Sequence, residues 1–359
     1  MKKILSILLL LFVVSAWGGV VNRHPRSPQP ASASWAYTEL MQTLTTSTAD
    51  AWTDIDLSAY IPKGAVANIV IHQQESGSSK YAQYAGARIN GSALERKMSI
   101  STYTTVGCNG FALPVKTDAN GLIEYYNDDT TNITFTLIGY WTGIDYTEAF
   151  SATFNNTTVN TWQDADITDY APDGRVVTIG MIANESDNGT YYIAMGVRTN
   201  GSSLARITDI PDNGYAGDYS SSTMTVKSDS NGIIETWSGY LSQTTFRVLG
   251  YFGAAMDYVE SFQDISITSY DAWTDKDLSA YMDQDGRLVE IMPKNTDNIN
   301  NLGGARTNGS GLDRYFDLET RNGNAWIGLM MPTRTDGSGI VELYADAAAV
   351  DHILFGYFK

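Results

Sequence analysis

Gly86-Ala87-Arg88-Ile89-Asn90-Gly91-Ser92-Ala93-Leu94-Glu95-Arg96 recurs, with the same internal spacing, as Gly196 to Arg206 and as Gly304 to Arg314. In all three the frame is Gly-x-Arg-x-Asn-Gly-Ser-x-Leu-x-Arg. Other landmarks keep their order around it. Trp52, Trp162 and Trp273 each open a W-x-D-x-D-[LI]-[ST]-x-Y run ending at Tyr60, Tyr170 and Tyr281. Gly139-Tyr140-Trp141, Gly250-Tyr251-Phe252 and Gly356-Tyr357-Phe358 close the units, and Tyr37-Thr38-Glu39, Tyr146-Thr147-Glu148 and Tyr258-Val259-Glu260 open them. A collinear period of about 110 residues marks duplicated domains, since solenoid units recur every 20–50 residues.

Three copies provide a small internal comparison. Residues that recur in all of them report the fold, whereas a ligand site peculiar to one copy shows as a difference.

Within each copy the signals are short strands: Val66 to Ile71, Val176 to Ile182 and Leu288 to Met292 early, Ile133 to Tyr140, Phe246 to Tyr251 and Ile353 to Phe358 late. Asn-Gly turns separate them, and helical periodicity is almost absent. This pattern predicts an all-β chain of three tandem β-sandwich, jelly-roll-like domains over 37–143, 144–254 and 255–359. The paired Cys and intervening Trp of an immunoglobulin domain are missing.

Met1-Lys2-Lys3 precedes an apolar run from Ile4 to Trp17, too short to span a bilayer and followed by small residues, which reads as a secretory signal peptide over 1–18. A Pro- and Ser-rich leader over 19–36 reads as an extended arm able to dock on a neighbouring subunit. The expected location is secreted, extracellular or at the cell surface, with no membrane insertion once the signal is removed. With 23 basic against 40 acidic residues the chain carries a formal charge of -17, which argues against nucleic-acid partners. The single cysteine, Cys108, excludes a disulfide framework, so each repeat must rely on its own core.

Asp54 and Asp56, Asp164 and Asp166, and Asp275 and Asp277 place two carboxylates on one face of a strand. Such oxygens can bind calcium, or can pair with the recurrent arginines Arg88 and Arg96, Arg198 and Arg206, and Arg306 and Arg314. The ion pair is the better fit, because a calcium loop of the EF-hand type needs more regularly spaced oxygens. Asp118, Gly121 and Glu124, with equivalents in the other copies, read as a hairpin turn followed by a strand Glu. His24, His72 and His352 are the only histidines and occupy non-equivalent places, so zinc and Ser-His-Asp chemistry lack material. Tyr81, Tyr84, Tyr125, Tyr126, Tyr191, Tyr192, Tyr215 and Tyr219 offer a sugar-stacking surface or ordinary strand and interface positions.

Together the Trp opener, the Gly-x-Arg-x-Asn-Gly-Ser centre and the Gly-Tyr-aromatic end resemble the β-sandwich modules found in tandem in microbial surface proteins and virion appendages. The resemblance runs from Tyr37 to Lys359 and implies structural motifs with no catalytic residues to carry over. The expectation is therefore a non-enzymatic structural or adhesive protein without an obligatory cofactor, self-associating into a filament or layer. The alternative is a tandem carbohydrate-binding protein with an extracellular glycan as partner.

Overall fold

The computed structural model describes residues 35–74, 83–101, 108–184, 192–211, 219–241, 243–297, 299–318 and 327–359. Each repeat supplies two antiparallel sheets. In the first, β1 (Ala36–Leu44), β8 (Ile133–Thr142), β3 (Val66–Gln74) and β6 (Cys108–Lys116) form sheet A. Strands β2 (Thr53–Asp56), β7 (Leu122–Asn127), β4 (Gln83–Ile89) and β5 (Lys97–Ile100) form sheet B. The second repeat gives sheet C from β14 (Tyr219–Lys227), β11 (Val176–Asn184), β16 (Thr244–Phe252) and β9 (Tyr146–Glu148), and sheet D from β10 (Gln163–Asp166), β15 (Ile233–Ser238), β12 (Tyr192–Thr199) and β13 (Ile207–Pro211). In the third, sheet E comprises β17 (Tyr258–Asp264), β25 (Val350–Phe358), β19 (Leu288–Asn295) and a last strand broken into β22 (Ile327–Gly328) and β23 (Met331–Arg334). Sheet F comprises β18 (Thr274–Asp277), β24 (Ile340–Ala345), β20 (Asn301–Thr307) and β21 (Tyr315–Leu318).

The two sheets of a repeat share a core, as Ile69 and Ile71 of sheet A do with Ala87 and Ile123 of sheet B. Packing does not stop there. Val70, Ala112 and Ile138, on the other side of sheet A, join the core of the third repeat. Met292, Ile353 and Phe355 of sheet E join the core of the second, and Leu249 of sheet C joins that of the first. The six sheets thus close on themselves as a six-bladed β-propeller within one compact unit, and the expectation of three tandem β-sandwich domains is corrected.

Burial accounts for the difference. Every residue of β19 is buried, and β11 is buried except at Ile182 and Asn184. A free-standing sandwich leaves the outer face of each sheet in water and its strands alternate, whereas strands covered on both faces read as continuous apolar runs. Strands β7, β15 and β24 retain the alternating pattern.

Aromatic side chains fill the pseudo-three-fold axis. Tyr37, Tyr146 and Tyr258 surround Trp141, Phe252 and Phe358, and neighbouring rings meet largely edge to face with centroids 4.8–6.4 Å apart, Trp35 reaching Phe358 from outside. The closing glycines follow from this plug. A Cβ on Gly139, Gly250 or Gly356 would collide with the ring of Tyr37, Tyr146 or Tyr258.

Candidate functional site

The recurring residues are consumed by architecture. Arg88, Arg198 and Arg306 stack on Trp52, Trp162 and Trp273 at 4.0, 4.1 and 4.0 Å, and donate through Nε to Glu124, Glu235 and Glu342 at 2.7, 2.7 and 2.8 Å. Asn90, Asn200 and Asn308 donate to Asp118, Asp229 and Asp336, whose other oxygens accept backbone N–H groups of the following turn. The Trp opener, the central motif and the Asp-x-x-Gly-x-x-Glu turn form one network per repeat.

Arg96, Arg206 and Arg314 are 1, 0 and 0 % exposed, so each needs an internal counter-charge. None comes from the Asp pairs. Arg96 of the first repeat meets Glu148 of the second at 3.1 Å, Arg206 of the second meets Glu260 of the third at 2.7 Å, and Arg314 of the third returns to Glu39 of the first at 3.0 Å. The glutamates also accept the N–H groups of Ile89, Thr199 and Thr307. The sequence displayed this glutamate in every Tyr-x-Glu opener, but its partner lies in another repeat.

The pairing of the Asp couples with arginine is therefore corrected. Asp54 and Asp56, Asp164 and Asp166, and Asp275 and Asp277 are exposed on short edge strands. The second of each couple accepts the N–H of Ser58, Thr168 or Ser279 at 2.8, 2.9 and 2.8 Å. Hydrogen bonds from those same Ser and Thr residues hold Asp56, Asp166 and Asp277 below the usual carboxylate range. Among the described residues, no three His, Cys, Asp or Glu side chains gather as a metal cage. No helix there is long and apolar enough to cross a membrane.

Chemistry peculiar to one copy lies where the first repeat meets the second. A groove of about 390 Å³ runs between the first two repeats, lined by Tyr84, Glu95 and Lys97 from the first and Phe150, Tyr219 and Arg247 from the second. That volume lies within the range of small-ligand sites, roughly 300–1,000 Å³. Arg247 stacks on Phe150 at 4.5 Å and donates to the Ser151 carbonyl at 2.8 Å. Burial lowers its pKa, and no ion pair to it occurs among the described residues. Lys97 lies over the Tyr126 ring at 4.0 Å and beside Glu95 at 3.6 Å. Ser99 donates to the Tyr219 carbonyl at 2.5 Å, and Ser101 shares a hydrogen bond with Ser220 at 2.7 Å, fixing the two walls together.

The other junctions differ. Strand register aligns Arg247 with Thr136 and Ile353, both buried, and Lys97 with Ile207 and Tyr315. Where the third repeat meets the first, His72, Phe316 and Asp317 leave a cavity of about 20 Å³.

The tyrosines singled out by composition divide accordingly. Tyr84 and Tyr219 line the groove, Tyr126 supports Lys97, and Tyr125 is buried, accepting the Ser47 and Thr48 N–H groups. Tyr192 is half-buried on β12, away from the groove. Tyr81, Tyr191, Tyr215, the Cys108 side chain, the signal segment and nearly all of the N-terminal arm lie outside the described residues.

No family model and no curated protein matches the sequence. Solved structures give weak neighbours. The tandem CBM22-1–CBM22-2 domain of Paenibacillus barcinonensis Xyn10C matches at 10% identity and a TM-score of 0.18, over 61% of this chain and 93% of that one. The structure of Sulfolobus Turreted Icosahedral Virus matches at 8% identity and 0.19, over 90% of each chain. A triple jelly-roll protein from the turret assembly of an archaeal virus matches at 7% and 0.20, over 91% and 90%. At TM-scores this low they carry no argument about this chain.

Proposed function

We propose that this chain is an exported, non-enzymatic adhesive protein that holds an acidic glycan in the groove between its first two repeats. The observation that carries this reading is Arg247, a half-buried guanidinium stacked on Phe150 and without an ion pair among the described residues, in a groove of ligand size whose other wall carries Lys97 paired with Glu95. An arginine keeps its charge when desolvated, so an unpaired one favours an incoming anion, and its planar fork suits a carboxylate. Tyr84 and Tyr219 add flat apolar surface with polar tips, which suits a sugar ring bearing both C–H faces and hydroxyls. Because the protein as a whole is acidic, recognition of an acidic ligand must be local rather than steered from a distance.

Self-association into a filament draws less support. The head-to-tail contact between repeats closes after three copies, through Arg314 and Glu39, so that surface is used up within one chain. Binding to immobilised oligosaccharides tests the adhesive reading. Uronic-acid oligomers should be retained and their neutral counterparts not, and equal retention of both, or of neither, would overturn it.

A further inference from the structure

One position on the pseudo-three-fold axis differs chemically in each copy. Opposite Gly139, Gly250 and Gly356 stand Asn68, Thr178 and Glu290. All three are at least 97% buried, at 1, 3 and 3 % exposed, and all line one axial cavity of about 20 Å³ together with Trp141, Phe252 and Phe358. The Asn68 Nδ2, the Thr178 Oγ1 and the Trp141 Nε1 make no hydrogen bond of good geometry among the described residues, although Asn68 and Thr178 lie close enough to the Tyr37 and Tyr146 hydroxyls to interact with them. Glu290 is better provided, accepting from Thr225 Oγ1 at 2.5 Å and from the Tyr258 hydroxyl at 2.8 Å. A carboxylate nevertheless offers about four lone-pair sites, so it retains capacity for another donor.

A buried polar atom without a good partner forfeits the hydrogen bond that water gives it in the unfolded chain, and three around one cavity call for a shared partner. The free volume sets its size, because a single water needs roughly 10–15 Å³ on this measure. The chemistry sets its kind. Asn68 presents a donor, Thr178 a hydroxyl that serves either way, and Glu290 an acceptor, whereas a water molecule both donates and accepts twice. Neither a metal cation nor an anion fits that mixed set, because the amide and indole N–H groups oppose the first and the Glu290 carboxylate the second. We infer that the axial cavity is a binding site for one ordered water, held by Asn68, Thr178 and Glu290, one residue from each repeat.

This also accounts for the divergence of the three positions. Three identical donors, or three identical acceptors, would over-supply one side of a single water and leave the other unmet. The recurring tyrosines Tyr37, Tyr146 and Tyr258 stay constant while the residues facing the cavity differ.

A high-resolution crystal structure of the full chain, with and without Asn68→Leu and Thr178→Val together, tests the inference. One axial density peak is expected about 2.6–3.2 Å from Asn68 Nδ2, Thr178 Oγ1 and a Glu290 oxygen, refining as water. The double variant, its fold checked by circular dichroism, should lose that peak. A wild-type axis without density, a peak with the anomalous signal or coordination of an ion, or a peak that persists in the folded double variant would each overturn it. Should the variant fail to fold, a wild-type water peak at those distances still supports the site and its absence still refutes it.

Discussion

Arg314 in the third repeat is bound at 3.0 Å by Glu39 in the first, and through this pair a chain of three copies becomes a ring. The guanidinium also donates to the carbonyls of Ala305, Ile138 and Pro332, so its charge and both of its terminal nitrogens are committed. Removing one partner of such a buried pair strands the other. We expect Glu39→Gln to destabilise the protein by about 3–5 kcal/mol in chemical denaturation. Glu39→Leu combined with Arg314→Met should recover part of that loss, because no charge is then left buried alone, while the carbonyls and N–H groups that the pair served lose their partners.

Gly139 serves as the seat of the Tyr37 ring, at a φ of 159°. Alanine there meets the phenol head-on. Gly139→Ala should cost about 1–3 kcal/mol, measured by thermal or denaturant unfolding. Alanine at Gly91, where nothing lies within reach of an added Cβ, should cost only the penalty of its left-handed φ of 78°.

His352 is fully buried, where the other two repeats carry Phe135 and Phe246. Its Nε2 lies 3.1 and 3.0 Å from the carbonyls of Gly304 and Tyr344, a geometry that suits a neutral ring donating from that nitrogen. Burial pushes its pKa down from 6.5 to about 4. Between those values the unfolded chain binds the proton and the folded chain does not, so stability falls as the pH drops from 6.5 towards 4. The shift corresponds to a loss on the order of 3 kcal/mol. His72 is buried and pushed down the same way, to about 4, so His352→Phe should reduce but not abolish the pH dependence of the denaturation midpoint across that window, and an unchanged slope would refute the assignment.

Asp317 titrates in the opposite sense. Burial, assisted by Asp346, raises its pKa from 3.8 to about 6, so its folded form favours the proton and stability is lost as the pH rises through 6. Asp317→Asn should therefore be most stabilising, relative to the parent, above pH 6, as read from melting temperatures at two pH values.

Much of this was legible in the repeats. Gly86, Gly196 and Gly304 recur because a Cβ there would strike the carbonyl of Arg96, Arg206 or Arg314, and the all-β class follows from the turn spacing. The ring was not legible. An apolar run such as Val176–Asn184 reads the same whether its second face is covered by its own repeat or by the next. Glu39, Glu148 and Glu260 recur plainly, yet their arginines lie across a repeat boundary, and the nearer Asp54 and Asp56 offered a partner within one copy. The groove was hidden for a related reason. Its residues come from two repeats and are those that differ between copies, as Arg247 does from Thr136 and Ile353.

Calorimetric titration of the full chain with a short uronic-acid oligosaccharide tests the central claim most directly, because it reads affinity and stoichiometry together. One groove predicts one site per chain, and Arg247→Met should abolish it, while Glu39→Gln under conditions where the fold persists should not. Three sites per chain, or one site indifferent to Arg247→Met, would contradict the account.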